Sequence, residues 1–215
     1  ASGRRSDRRQ SMSSYVAVAN LAATKIGSEA RITSPDDDRL VARTIKAVWD
    51  IERRAAIRDG AWNFAMRRAE LAAESLSGGV PYPWTYSFPL PAESVRLIEV
   101  LNLSSRADYQ LEGNSILCDA AGPLYIRFMV DEPEPALWDE LFVEAFACRI
   151  AITIGARIAG TNFNQIAAER AYADALSRAK RVDARENPPF EQEESDWIIA
   201  RMTGGSFPAT PGGGW

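Results

Sequence analysis

The sequence predicts an α+β fold: a four-helix bundle with a small antiparallel β-domain, sandwich- or barrel-like, inserted between its halves, and extended termini. Three observations predict it. Apolar residues recur at helical steps before residue 61 and again after residue 136. Between them the period drops to two and turn residues punctuate the chain. At 215 residues, 46% hydrophobic and 25% charged, the chain has the length and composition of one globular domain carrying an insertion. The expected divisions are a basic arm at 1–12, helical halves at 13–61 and 136–186, the β-domain at 62–135 and an extended tail at 187–215.

The first twelve residues lack apolar periodicity and read as an arm, with Met12 a candidate alternative start. Ser13 or Ser14 can cap a first helix in which Val18, Leu21, Ala22 and Ile26 share a face, and Gly27 stops it. A second helix is expected to open at Ser34-Pro35-Asp36-Asp37-Asp38, where carboxylates meet unpaired backbone N–H groups. Its apolar stripe is Val41, Ile45, Val48, Ile51 and Ala55, with Arg39, Arg43, Lys46, Arg53 and Arg54 mostly on other faces, and Gly60 ends it.

In the middle, Trp84, Tyr86, Phe88 and Leu90 alternate with smaller or polar residues, which is a strand pattern. A second strand covers 95–103, with a phase slip between Leu97 and Ile98 that suggests a bulge. Residues 109–119 read as a hairpin turning at Gly113-Asn114, and Leu124, Ile126, Phe128 and Val130 alternate again. The run Asp131-Glu132-Pro133-Glu134-Pro135 stops strand structure. A long apolar helix is expected over 137–159, buried in the bundle or against a neighbouring subunit; Trp138, Phe142 and Phe146 are its bundle-core or ring-interface candidates. Gly160-Thr161-Asn162 then makes a turn and cap, and a fourth helix reaches about Arg185, with Phe163, Ile166, Ala173 and Leu176 inward.

Charge is unevenly spread about a net −4. Arg4, Arg5, Arg8 and Arg9 against Asp7 leave residues 1–12 at +3, whereas residues 186–215 carry −4. The body is nearly neutral, which is not the balance of a protein that grips nucleic acid over its whole surface. The arm could still touch phosphates or a neighbouring subunit. Past Pro189 the tail is acidic, but it also carries Trp197, Ile198, Ile199, Met202 and Phe207, aromatic and aliphatic anchors of the kind that dock into another surface.

Chemistry-bearing motifs are scarce. There is no histidine, so the commonest general base and transition-metal ligand are missing. Two cysteines, Cys118 and Cys148, make no disulfide framework and read as inert core thiols. Asp36-Asp37-Asp38 lacks the spacing of a calcium loop. Glu191, Glu193 and Glu194 form a solvated charge run. No nucleophile elbow, phosphate-binding loop, spanning helix or signal peptide is visible. These readings expect no cofactor, no metal, no membrane association and no catalysis. Two alternatives stay open: a tail-associated, envelope-degrading hydrolase using Glu112 and Asp119, and a DNA-binding regulator using the arginine arm.

The order of several segments resembles a known family. Ala19-Asn20-Leu21-Ala22-Ala23-Thr24-Lys25-Ile26-Gly27, followed by Arg31-Ile32-Thr33-Ser34-Pro35-Asp36-Asp37-Asp38, is similar to the start of phage head-to-tail adaptor (connector) proteins of the tail tubular protein A-like kind. Trp62-Asn63-Phe64-Ala65, Arg68-Ala69-Glu70-Leu71-Ala72, Leu90-Pro91-Ala92-Glu93-Ser94-Val95-Arg96, Gly122-Pro123-Leu124-Tyr125-Ile126-Arg127 and Ser195-Asp196-Trp197-Ile198 extend the resemblance over roughly 15–201. Gly60-Ala61 before Trp62 departs from the proline-like turn expected there.

The resemblance implies a structural virion protein at the portal vertex, assembled in the host cytoplasm. Such adaptors form a ring, typically of twelve copies, between the portal and the tail nozzle or stopper, with tail fibres a further contact. The ring extends the channel through which genomic DNA passes without specific binding. The family's C-terminal segment reaches into the portal, which here lands on Trp197, Ile198, Ile199 and Arg201, with Met202 and Phe207 beyond. Tails that bind weakly one by one would bind tightly from a closed ring.

Overall fold

The computed structural model of the chain describes residues 14–74, 79–103, 105 and 108–186. Two compact units divide the chain, 1–183 and 184–215; the elements below belong to the first, save the last residues of the final helix. Among the described residues the protein is mixed α/β, with four helices and two antiparallel sheets of three strands each.

Helix α1 (Tyr15–Ile26) starts where Ser14 Oγ accepts from Ala17 N and ends at Gly27, whose φ of 82° is the left-handed conformation that favours glycine. Its inner face is Val18, Ala19, Ala22, Ala23 and Ile26. Asn20 secures the loop that follows. Its amide donates to Ile32 O and accepts from Ile32 N, both at 2.8 Å, and so pins the buried Ile32 to the helix as a strand partner would. That contact gives a physical reason for the two opening segments to occur together.

Helix α2 (Leu40–Asp59) begins later than the Ser34–Asp38 run that was expected to open it. Asp37 meets a backbone N–H, that of Arg39, but the run forms a turn before the helix. The expected stripe also needs correction. Val41 and Ile45 are buried, yet Ile51 is 72% exposed, and the inner face instead continues through Trp49, Arg53, Ala56 and Ile57. Arg53 is inside because it has a partner there. Its guanidinium donates to both Asp131 oxygens, at 2.8 and 2.9 Å, and to Asp50 at 2.6 Å.

Trp62 finishes α2. Its indole folds back and donates to Ala56 O at 2.9 Å, satisfying a carbonyl of the last turn. The ring occupies the space a Cβ at residue 60 would need, so the glycine does the work a proline-like turn was expected to do.

One sheet has the order β1-β6-β3 (Met66–Leu71, Leu124–Val130 and Ser94–Val100), the other β2-β5-β4 (Tyr86–Pro89, Ser115–Cys118 and Tyr109–Glu112). The hairpin turns at Gly113-Asn114 as the sequence predicts. Register shifts in β3 fall between Ser94 and Arg96 and between Leu97 and Glu99, the second at the phase slip. They let Leu97 and Val100 join the apolar cluster shared by the two sheets while Val95 and Ile98 pack on the helices. Strand β6 is likewise two-sided: Leu124, Ile126, Phe128 and Val130 enter the β cluster, and Met129 enters the helical core. Strand β1 was not anticipated, because Met66-Arg67-Arg68-Ala69-Glu70-Leu71 has no clean alternation. Pairing with β6 from Met66↔Met129 to Leu71↔Leu124 makes it a strand.

Helix α3 (Glu140–Ala159) starts three residues later than expected. Residues Pro135–Leu137 form a 3-10 turn, and Asp139 caps the helix by accepting from Leu141 N. Trp138, just outside it, is buried and donates from Nε1 to Glu132 O at 2.9 Å. It stands edge-on to Phe142 and Phe146, with centroids 5.1 and 5.4 Å away, while Trp49 and Trp62 meet the same phenylalanines at 4.9 and 5.0 Å. Full burial of each phenylalanine contributes about 2 kcal/mol. Helix α4 (Gln165–Glu186) is capped by Asn164, not Asn162, whose Oδ1 accepts from Ala167 N. Its buried contacts are Ala175 and Ala179, with Tyr172 and Leu176 partly buried; Ala173 and Ile166, expected inward, are exposed.

Two substitutions test this frame. Asp131→Asn removes the bidentate carboxylate from Arg53, leaving it only the exposed Asp50, and lowers stability by about 2–4 kcal/mol, read from the urea midpoint. Gly60→Ala displaces the Trp62 ring and costs about 1–3 kcal/mol, with a red-shifted tryptophan emission reporting the displacement.

Candidate functional site

The outer face of α2 carries Arg54 and Arg58, one helical turn apart and pointing away from the buried Arg53, Ala56 and Ile57. Opposite them runs β3, with Arg96 exposed. Two side chains join helix and strand reciprocally: Arg58 Nη1 donates to Val95 O at 2.9 Å, and Arg96 Nη1 donates to Arg58 O at 3.0 Å. The second bond satisfies a carbonyl near the C-terminus of α2, where a cation also suits the dipole. Arg54 has no hydrogen-bond or ion-pair partner among the described residues.

These arginines border a groove of about 660 Å³. Leu97 and Ile98 of β3 and Tyr109 and Leu111 of β4 supply its apolar lining. Its far end is Leu90 with the Gly113-Asn114 turn, held together because Leu90 N donates to Asn114 O and Asn114 Nδ2 donates to Leu90 O. Among the described residues no carboxylate lines it. The groove is cationic on one side and apolar on the other.

The densest polar cluster lies elsewhere. Arg149 of α3 donates from Nε to Glu52 at 2.6 Å and from Nη1 to Asp59, both carboxylates of α2. It also lies over the Tyr172 ring of α4, 5.6 Å from the centroid, and Tyr172 donates to Asp59 at 2.7 Å. Thr153 donates to the other Glu52 oxygen at 2.9 Å. Every charge here is answered, so the cluster reads as a clamp on three helices. Burial, then the hydrogen bond to Asp59, pushes the Tyr172 phenol above its ordinary value.

The sequence-predicted candidates fall out as follows. Trp138, Phe142 and Phe146 are almost wholly buried in this chain's own helical core, leaving no surface for a ring contact. Asp36, Asp37 and Asp38 do not converge on a common point: Lys46 binds Asp36, Arg39 approaches Asp37 and Arg43 approaches Asp38. Among the described residues no group of three acidic or cysteine side chains could hold a metal. Glu112 and Asp119 sit at opposite ends of the β4–β5 hairpin, on the order of 13 Å apart along it, too far for a paired acid and base in glycoside cleavage. Asp119 instead accepts from Thr85 N and Oγ1. Cys118 and Cys148 are buried, and burial raises both thiols. The arm residues Arg4, Arg5, Arg8 and Arg9, the tail residues Trp197, Ile198, Ile199, Arg201, Met202 and Phe207, and Glu191, Glu193 and Glu194 lie outside the described residues. No described helix is long and apolar enough to cross a membrane.

The groove itself was missed. The i, i+4 spacing of Arg54 and Arg58 was a legible signal, but nothing local joins them to Arg96 across 38 residues. The chain matches no known family model and no curated protein.

For the clamp, Tyr172→Phe loses the bond to Asp59 and about 1 kcal/mol. The pH dependence carries the sign. A phenol raised in the folded state contributes stability that is fully present below its unfolded value of 10.0 and is lost as pH rises through the folded one. The alkaline decline in stability above pH 10 is therefore shallower in Tyr172→Phe than in the parent, and ultraviolet titration shows one fewer late-ionising tyrosine.

Proposed function

We propose that this protein is a structural virion component, the adaptor whose ring joins the portal to the tail and extends the DNA channel. The order and spacing of segments from Ala19 to Ile198, in step with the adaptor family, carry the reading. It brings with it the finer description of the fold as a four-helix bundle with a β-domain inserted at 62–135, and it assigns no catalytic step to the chain.

The structure supplies a compatible surface, though not the one first expected. Helix α3 is spent on the chain's own core, so side-to-side contacts need other apolar groups. Leu40 and Ile51 are exposed three turns apart on α2, and Leu137 and Ile166 are exposed elsewhere. A head-to-tail ring requires two different surfaces on each copy, and apolar residues exposed at separate places suit that better than one self-complementary face. The tail around Trp197, Ile198, Ile199 and Arg201 is the proposed anchor to the portal, with Met202 and Phe207 as further contacts. The basic arm is proposed to touch a subunit or nucleic acid.

Electron microscopy of the chain with its portal tests both halves of the proposal. Full-length chain caps the portal as a closed ring, and a chain ending at Asn187 does not. Docking that survives truncation removes the tail from the proposal, and absence of any ring removes the adaptor reading.

A further inference from the structure

We propose that the groove between α2 and strands β3 and β4 binds an extended, acidic peptide segment of a partner protein. This goes beyond the adaptor reading, which gives this face no partner, and does not depend on the C-terminal tail.

Two independent features define the occupant. The first is charge. Arg54, Arg58 and Arg96 border the groove, and no carboxylate is among its lining within the described residues. Arg58 and Arg96 each use one guanidinium nitrogen to brace the wall and keep further N–H donors, while Arg54 is wholly uncommitted among the described residues. Fixed guanidinium groups on a braced frame favour carboxylates spaced along a chain.

The second is backbone. Strands β3 and β4 are the terminal strands of their sheets, so the groove lies along two sheet edges. Arg58 already covers Val95 O on β3, whereas among the described residues β4 has a strand partner only in β5. An unpaired edge presents alternating N–H and C=O groups that an added strand satisfies. Between the edges, Leu97, Tyr109 and Leu111 offer apolar seats for alternate side chains of such a strand. Leu111 is 47% exposed and would gain cover.

A nucleic-acid backbone would use the arginines but leave the apolar lining and the β4 edge unanswered. The net charge of −4 also opposes it. A peptide alternating carboxylate and aliphatic residues answers all three features.

The test uses the full chain and a fluorescein-labelled nonapeptide of alternating glutamate and isoleucine, followed by anisotropy, with amide hydrogen exchange in parallel. Expected is saturable, salt-weakened binding with slowed exchange at Tyr109–Glu112, and no binding of the lysine–isoleucine counterpart. Arg54→Glu weakens binding about tenfold or more, Arg54→Lys restores most of it, and both keep the parent's thermal midpoint because Arg54 braces nothing. Equal affinity in Arg54→Glu, or unchanged exchange at millimolar peptide, overturns the proposal. So does a 16-base-pair duplex binding in place of the peptide and released by Arg54→Glu. Loss of a chain dimer in that variant would give the groove to a second copy, and also overturns it. None of these outcomes bears on whether a ring forms on the portal.

Discussion

A guanidinium sunk into the apolar face of a helix fixes how the helical and β portions meet. Arg53 reaches Asp131 with two parallel hydrogen bonds, and Asp131 directly follows β6. Desolvating both groups cancels most of what they gain from one another, and a well-packed apolar pair would be as stable or more so. The fork geometry contributes direction. An aliphatic contact tolerates sliding and rotation, but a bidentate pair is satisfied in one register. With that register set, Met129 falls into the helical core while Phe128 and Val130 fall on the other side of the sheet.

The aromatic cluster depends on the same placement. Trp138 comes seven residues after Asp131 and is held by its own bond to Glu132 O, so the strand's end delivers it against Phe142 and Phe146. Trp49, one turn before Arg53 on α2, arrives from the opposite side. Tryptophan is a costly residue to bury unless its N–H finds an acceptor. Trp62 and Trp138 both find backbone carbonyls, and in doing so define where α2 ends and how β6 leads toward α3.

What was legible in the sequence is what local spacing decides. Ser14 and Gly27 bound α1, alternation places β2 and β6, Gly113-Asn114 turns the hairpin, and the slip beside Leu97 is a bulge. Where a distant partner decides, the reading failed. Local spacing places Arg53 outward, because the bidentate partner that receives it inside, Asp131, lies 78 residues on. Ile51 was assigned inward on hydrophobicity alone. Strand β1 had no pattern of its own and exists by pairing with β6. The groove followed the same rule. Two of its arginines share a helix face that could have been read from spacing, and the third comes from a strand. The charge and apolar lining come together only when Arg58 of α2 and Arg96 of β3 each donate to the other element's backbone.

Helix α3 packs against both α1 and α2, which touch one another little. A nascent chain is therefore incomplete for most of its emergence from the ribosome. Its first two helices leave the exit tunnel with apolar faces and no common partner, and β1 waits for a strand some sixty residues behind it. At roughly 5–20 residues per second, the interval from α2 to the end of α3 lasts several seconds or more. The contacts of α3 with α1 and α2 are distant in sequence, and such contacts slow folding. The centrality of α3 leaves the apolar faces of α1 and α2 uncovered until α3 has been made.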